Sequence, residues 1–196
     1  MIADMANKRD AIIDAAIGRI SEEGGGFSTA QIAADAGCSQ SLVFRYFDTK
    51  EGLMSACFER VCHELLQTLR GVAVPKDPDT DSVRAYMIDV WRAYCGYLES
   101  NTHMAKAYLF FVGRGRRFPK GYRRAEDVLR RILGDSHRVL RAAYPDFDFV
   151  AEYLIMFSYA AATGLFIDHA EDPETVLGKI EGILRYGICG YGGRVT

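Results

Sequence analysis

Residues 28–47 constrain the fold of this chain more than any other segment, because they predict two short helices joined by a tight turn. Ser28 is a preferred helix-capping residue, whose hydroxyl accepts a bond from a backbone N–H of the first turn. Ile32, Ala33 and Ala36 follow at the spacing of one helical face. The sequence therefore predicts a first helix that begins after Ser28 and buries these three side chains.

The second helix of the pair follows a glycine. Gly37 ends the first helix, because the residue after a helix C-terminus often adopts a left-handed conformation that costs a residue with a Cβ more. Ser39 then caps a helix that begins near Gln40 and buries Val43 and Phe47 against the first helix. This order of cap, small-residue helix, glycine turn, second cap and amphipathic helix predicts a helix-turn-helix.

The second helix has an outer, N-terminal side where a recognition helix contacts base edges in a major groove. The residues at these positions are Gln40, Ser41, Leu42 and Arg45. Gln40 is suited to two hydrogen bonds with adenine, Leu42 to packing on a thymine methyl group, and Arg45 to guanine or a phosphate. The segment therefore predicts an interface with double-stranded DNA.

Over roughly residues 8 to 55, the chain closely resembles the DNA-binding segment of the TetR family of bacterial transcriptional regulators. The residues that carry the resemblance are Thr29, Ile32-Ala33, Ala36-Gly37, Ser39, Val43-Phe44, Tyr46-Phe47, Lys50-Glu51 and Leu53. Two residues depart from the family pattern: Phe44 stands where tyrosine is common, and Ser41 replaces a frequent glycine.

The resemblance implies DNA contacts for further residues. Thr29 and Ala30 would lie near the DNA backbone, Tyr46 would donate to a phosphate, and Lys50 would neutralise one. The full set of predicted DNA-binding residues is Ser28, Thr29, Ala30, Ser39, Gln40, Ser41, Leu42, Arg45, Tyr46 and Lys50. The resemblance also implies a homodimer whose two recognition helices enter successive major grooves of an approximately palindromic operator.

The rest of the chain predicts further helices and no convincing strand, so the expected fold is all-α with about nine helices. Residues 8–21 predict a first helix, and residues 71–80 are the clearest loop, after which Asp81 or Ser82 opens another helix. We assign residues 1–52 to an N-terminal three-helix helix-turn-helix domain. The resemblance implies that residues 53–196 form a helical effector-binding and dimerisation domain.

Composition narrows the class of protein. The 196 residues carry a net charge of −2, which argues against charge-driven coating of DNA but allows specific reading by a few placed contacts. No apolar run reaches the length of a membrane span, and the N-terminus lacks the apolar core of a signal peptide. We therefore expect a cytoplasmic protein that binds no membrane and needs no cofactor.

Aromatic residues are dense between residues 86 and 118, where they are suited either to a packed core or to an apolar ligand pocket. The resemblance implies a small-molecule cavity in the helices that follow the DNA-binding segment. The predicted lining residues are Trp91, Tyr94, Tyr108 and Phe111. We expect a repressor that a small apolar or aromatic effector releases from its operator.

Two other segments carry weaker signals. Eight cations between Arg114 and Arg131 predict a solvated face, an entrance for an acidic ligand, or a patch near phosphates. Residues 147–168 form a low-charge stretch that predicts either a helix of a dimer interface, as the resemblance implies, or an internal core helix.

Two alternative functions are open at this point. A redox- or metal-responsive regulator would use the cysteines, but Cys57 and Cys62 are five residues apart on one helix, which rotates their thiols about 140° away from each other. A protein of a different class would be a helical small-molecule-binding protein or an enzyme. We expect no catalytic and no metal-binding residues, since none of the motifs of the common hydrolases, zinc proteases or nucleotide-binding proteins is present.

Overall fold

A computed structural model of the chain describes residues 2–76 and 79–114, together with residues 175 and 178. Residues 2–114 contain six α-helices and no strand within the described positions, which confirms the all-α prediction for that part of the chain. The helices are α1 Ile2–Glu23, α2 Thr29–Asp35, α3 Gln40–Phe47, α4 Lys50–Arg70, α5 Thr80–Ser100 and α6 Thr102–Arg114. The helices predicted after residue 114, including the 147–168 segment, lie outside the described residues.

The described helices fall into two compact units. The first unit contains α1, α2, α3, the part of α4 up to Glu64, and α6. The second contains the part of α4 from Leu65 onward and α5. Helix α4 is continuous through residue 52, where the sequence predicted a functional boundary; that boundary stays a prediction.

Helix α1 packs against both helices of the helix-turn-helix. It begins at Ile2, earlier than the predicted residue 8, and ends at Glu23. Its apolar face is almost fully buried and consists of Ile12, Ile13, Ala16, Ile17 and Ile20. Helices α2, α3 and α6 all contact α1, so one amphipathic helix organises most of the first unit.

Two sequence expectations about helix ends are corrected. Ala36 is half-buried rather than buried, because α2 ends at Asp35 and Ala36 is its C-cap. Helix α5 is capped by Asp79, not by Asp81 or Ser82: Ser82 N donates to Asp79 Oδ1 over 2.8 Å, and Asp79 N donates to Ser82 Oγ over 2.9 Å. The Ser82 hydroxyl also donates to Asp79 Oδ1, and this bond, together with the one from Ser82 N, holds the pKa of Asp79 below its usual range.

No helix in the described part of the chain combines the length and the apolar character that crossing a membrane requires.

Candidate nucleic-acid interface

The start of α2 is held by a reciprocal pair of side-chain bonds. Gln31 N donates to Ser28 Oγ over 3.2 Å, and Ser28 N donates to Gln31 Oε1 over 2.7 Å. This capping box satisfies two backbone donors that an α-helix leaves free at its N-terminus. The predicted cap at Ser28 is confirmed. Sequence reasoning missed Gln31, although the Ser-x-x-Gln pattern is a recognised signal for such a box.

The turn between α2 and α3 is a Schellman motif. Gly37 takes a φ of +59° and donates its N–H to Ala34 O over 3.1 Å, while Cys38 N donates to Ala33 O over 2.9 Å. These two bonds close the last turn of α2 and redirect the chain. The left-handed glycine that the sequence predicted is therefore present, and it sets the path into α3.

Helix α3 presents a buried side and an exposed side. Ser39 caps it by accepting a bond from Leu42 N over 3.3 Å, as predicted. Val43 and Phe47 are buried, which confirms the predicted inner face. The exposed side chains of α3 are Gln40, Ser41, Phe44 and Arg45. Leu42, which we expected to reach a thymine, is half-buried.

The N-termini of α2 and α3 meet through a side-chain bond. Gln40 Nε2 donates to Thr29 Oγ1 over 2.8 Å, and each is the first residue of its helix. Ser41 Oγ lies 2.9 Å from Ser39 Oγ, and Ala30 is exposed beside Thr29. The structure thus brings most of the predicted DNA-binding residues to one exposed edge, where two helix N-termini offer backbone N–H donors.

The connection from α3 to α4 is unusually tight. Asp48 has a φ of +59° and a ψ of −46°, and Thr49 N donates to Phe47 O over 2.6 Å, which forms a γ-turn. Thr49 Oγ1 accepts from Gly52 N over 3.0 Å and so caps α4. A Cβ on Gly52 would lie 2.0 Å from Phe47 O, so glycine is required for this approach of the two backbones.

Lys50 connects α4 to the loop between α1 and α2. Its ammonium group donates to Gly25 O over 2.8 Å and to Phe27 O over 2.5 Å, and it lies 4.4 Å from the centre of the Phe27 ring. Two of its three N–H donors are therefore used within the chain. The phosphate contact that the resemblance implied for Lys50 stays a prediction, and the structure adds a positioning role.

Two further cations near the interface, Arg45 and Arg19, also make contacts within the chain. The Arg45 guanidinium lies 6.0 Å from the centre of the half-buried Tyr46 ring, within range of a cation–π contact. Arg19 forms a two-pronged ion pair with Asp35 at 2.7 and 3.1 Å, which ties α1 to the end of α2. That guanidinium holds the pKa of the Asp35 carboxyl below its usual range.

The four predicted effector-lining residues are all buried, and they divide between the two compact units. Trp91 and Tyr94 make an edge-on ring contact at 5.4 Å in the second unit. Phe111 stacks on Phe58 at 4.8 Å in the first unit, which also contains Tyr108. The ligand-binding role of these residues stays a prediction. The basic run after Arg114 lies outside the described residues.

The two cysteines of α4 are poorly suited to metal or redox chemistry. Cys57 and Cys62 are fully buried, and burial raises the pKa of each thiol to about 12. Cys57 Sγ donates to Ile13 O at 3.8 Å. Among the described residues, no cluster of three or more His, Cys, Asp or Glu could hold a metal ion.

A comparison with known protein families decides the assignment of the helix-turn-helix. Residues 12–57 match the family model of bacterial regulatory proteins of the tetR family, and this match includes all of α2 and α3. The segment that contains the helix-turn-helix therefore matches the DNA-binding part of the TetR family. A curated relative, the HTH-type transcriptional regulatory protein RaaS of Mycobacterium tuberculosis, is 32% identical over 87 residues. Those residues are 44% of this chain and 41% of RaaS, so the match spans less than half of that relative's length.

Solved structures share the fold over almost the whole chain. A transcriptional regulator from Rhodococcus sp. Rha1 has a TM-score of 0.76 at 20% identity, covering 96% of this chain and 98% of that one. The regulator FadR of Bacillus subtilis, solved in complex with stearoyl-CoA, has a TM-score of 0.73 at 16% identity, covering 89% of this chain and 96% of its own. At these identities the likeness establishes a TetR-like fold.

Proposed function

We propose that this protein is a TetR-family transcriptional regulator that binds a specific DNA sequence through α3. The observation that carries the proposal is the exposed edge where Thr29 and Gln40 join the N-termini of α2 and α3. Gln40, Ser41 and Arg45 extend this edge along the outer face of α3. Hydrogen-bonding side chains on a short, capped helix are what reading of base edges in a major groove requires.

The charge balance supports specific reading over general affinity for DNA. The net charge is −2, and Lys50 and Arg19 both make contacts within the chain. Non-specific binding depends on cations that displace the counterions of the phosphates, so the engagement of these two cations within the chain lowers the expected affinity for random sequence. Specificity then depends on a small number of base contacts, which a homodimer doubles on a palindromic operator.

Selection of bound DNA tests this function. Purified protein is incubated with a random duplex library, and the bound fraction is amplified and sequenced. We expect enrichment of a palindrome with half-sites about 34–36 Å apart, one turn of DNA, or a multiple of this spacing. Recovery of unenriched sequence, or equal affinity for the selected and a shuffled duplex, would reject the proposal.

Arg45 provides a residue-level control for this test. We expect Arg45→Ala to cost about 1–3 kcal/mol on the selected duplex and to relax the preference at one base pair in each half-site. Its exposure on α3 makes it a substitution that leaves the fold intact. Equal losses on selected and shuffled DNA would exclude base reading by Arg45.

We further propose that a small apolar or aromatic molecule regulates DNA binding, with the protein acting as a repressor. Trp91 and Tyr94 offer an indole N–H and a phenol within one buried aromatic pair, a combination suited to a ligand with an apolar body and a polar end. Because FadR of Bacillus subtilis was solved in complex with stearoyl-CoA, ligands with long acyl chains are the first class to test.

Release from DNA is the direct test of regulation. The protein bound to its selected duplex is titrated with stearoyl-CoA, with free coenzyme A as a control, and then with a panel of planar aromatic compounds. A true effector weakens DNA binding because it favours a conformation whose recognition helices no longer match the operator. A compound that binds tightly and leaves operator affinity unchanged would count against this mode of regulation.

A further inference from the structure

The solvent exposure of Phe44, on the outer face of α3, has no explanation in the packing of the helices. Phe44 is a large hydrophobic side chain on α3, yet 42% of it is accessible to solvent. Among the side chains that the structure describes, the other large hydrophobic residues are buried or half-buried. The neighbours of Phe44 on the same face are Gln40, Ser41 and Arg45, all of which are polar. An isolated apolar ring among polar side chains suggests contact with a small apolar group inside a polar surface.

We propose that Phe44 reads DNA sequence by packing its ring on the 5-methyl group of a thymine, a proposal that rests on the DNA-binding function above. The thymine methyl is the apolar group on the base edges of the major groove, so it is the feature there that an exposed ring recognises. Leu42, the residue predicted for this contact from the sequence, is half-buried, whereas Phe44 projects from the outer face.

The position of Phe44 on α3 also predicts where its thymine lies. Phe44 is four residues after Gln40, so the two side chains are on one face of α3, separated by about 6 Å along its axis. Base pairs are spaced by about 3.4 Å along the duplex. With α3 lying along the groove, the thymine contacted by Phe44 falls within about two base pairs of the base contacted by Gln40.

The chemistry of this contact is separable from hydrogen bonding. Replacing thymine by deoxyuridine removes the methyl group and leaves every hydrogen-bonding group of the base pair in place. Burial of one methyl group is worth about fourfold in affinity. A single thymine-to-uracil change in one half-site should therefore weaken binding by about fourfold at the base that Phe44 contacts.

The experiment replaces each thymine of the selected operator by deoxyuridine, one position at a time, and measures the dissociation constant for each duplex. Four proteins are compared: wild type, Phe44→Ala, Phe44→Tyr and Arg45→Ala. We expect one position in each half-site where wild type and Phe44→Tyr distinguish thymine from uracil, and where Phe44→Ala does not. Arg45→Ala should lower affinity for both duplexes while preserving their ratio.

Thermal unfolding of Phe44→Ala is the control for folding. Because Phe44 is exposed, we expect a midpoint close to that of the wild type. Wild-type binding that is unchanged by every thymine-to-uracil replacement would overturn the proposal, as would a thymine preference that survives in Phe44→Ala. Either result leaves specific DNA binding by the protein intact. Failure to select any operator would instead overturn the DNA-binding function, and the role of Phe44 with it.

Discussion

Gln40 Nε2 donates a 2.8 Å hydrogen bond to Thr29 Oγ1, and so the first residue of α3 is joined to the first residue of α2. The bond uses one N–H of the Gln40 amide. The other N–H and the Oε1 acceptor remain, and these are the two groups that form a bidentate pair with adenine. In the proposed complex with DNA, Thr29 would orient the amide before the base is bound, which would reduce the entropy lost when the base contact forms.

Replacement of Thr29 tests this positioning role. Thr29→Val removes the hydroxyl at nearly constant shape, and we expect it to lower the discrimination between adenine and guanine at the Gln40 position by roughly 1 kcal/mol. Thr29→Ser retains the hydroxyl and should preserve the discrimination. The measurement is the ratio of dissociation constants for the two duplexes. A uniform loss of affinity on both duplexes would show that Thr29 contacts only the DNA backbone.

The approach of Phe47 O to Gly52 predicts an unusual response to alanine. In a helix, glycine to alanine normally stabilises by about 0.5–1 kcal/mol, and we expect this gain for Gly18→Ala, where an added Cβ meets nothing within 4 Å. At Gly52 the Cβ would lie 2.0 Å from a backbone oxygen, so Gly52→Ala should destabilise by about 1–3 kcal/mol. Urea unfolding of both variants measures the difference, and equal stabilisation of the two would contradict the observed geometry.

The features that sequence analysis predicted correctly are those that adjacent residues determine. Ser28, Gly37 and Ser39 each satisfy a backbone requirement within one helical turn, so their residue types were sufficient evidence. Val43 and Phe47 follow from helical spacing alone. Phe44 fits no such rule, because sequence spacing does not distinguish an exposed aromatic residue from a packed one.

Contacts between distant parts of the chain carried no such signal. Lys50 bonds to Gly25 and Phe27, more than twenty residues earlier, and Arg19 pairs with Asp35 across two helices. A lysine or an aspartate has the same local pattern whether it faces solvent, a phosphate or a carbonyl oxygen. The contacts of Lys50 and Arg19 form only when α1 packs against the helix-turn-helix. That packing depends on the arrangement of the whole first unit, which local sequence patterns do not report.

Loss of the Lys50 ammonium should lower stability even without DNA. Lys50→Met keeps most of the aliphatic chain and leaves the carbonyls of Gly25 and Phe27 without their donor, for an expected cost of about 1–3 kcal/mol. Lys106→Met, on an exposed position of α6, is the matched control and should change stability little. Urea unfolding is the measurement. A Lys50→Met protein that is as stable as wild type but weaker on all DNA would assign Lys50 to phosphate binding alone.

The ion pair of Arg19 and Asp35 predicts a component of acid sensitivity. Because the folded-state pKa of Asp35 is lowered, the pair stabilises the protein above the unfolded-state value of about 3.9, and that stabilisation is lost as the pH falls through the folded value. Asp35→Asn lacks this component. The difference in free energy of unfolding between wild type and Asp35→Asn should therefore stay constant near pH 6 and narrow as the pH falls below about 4, as urea titrations at each pH would measure. A constant gap would mean that the pair contributes no pH-dependent stability.

Thiol labelling distinguishes a ligand-responsive regulator from a redox-responsive one. Burial raises the pKa of Cys57 and Cys62 to about 12 and that of Cys95 to about 11, so at pH 8 their reactive thiolate forms are rare, whereas Cys38 is partly exposed. We expect iodoacetamide to modify Cys38 of the native protein well before these three, and to modify all four at similar rates in urea, as followed by peptide mass spectrometry. Rapid labelling of Cys57 or Cys62 in the native protein would instead favour a redox-sensing role for these thiols.

A Cys38→Ser variant tests the remaining thiol. If labelling follows the expected order, a Cys38→Ser protein that retains its operator affinity under a thiol oxidant would exclude redox control through the described cysteines.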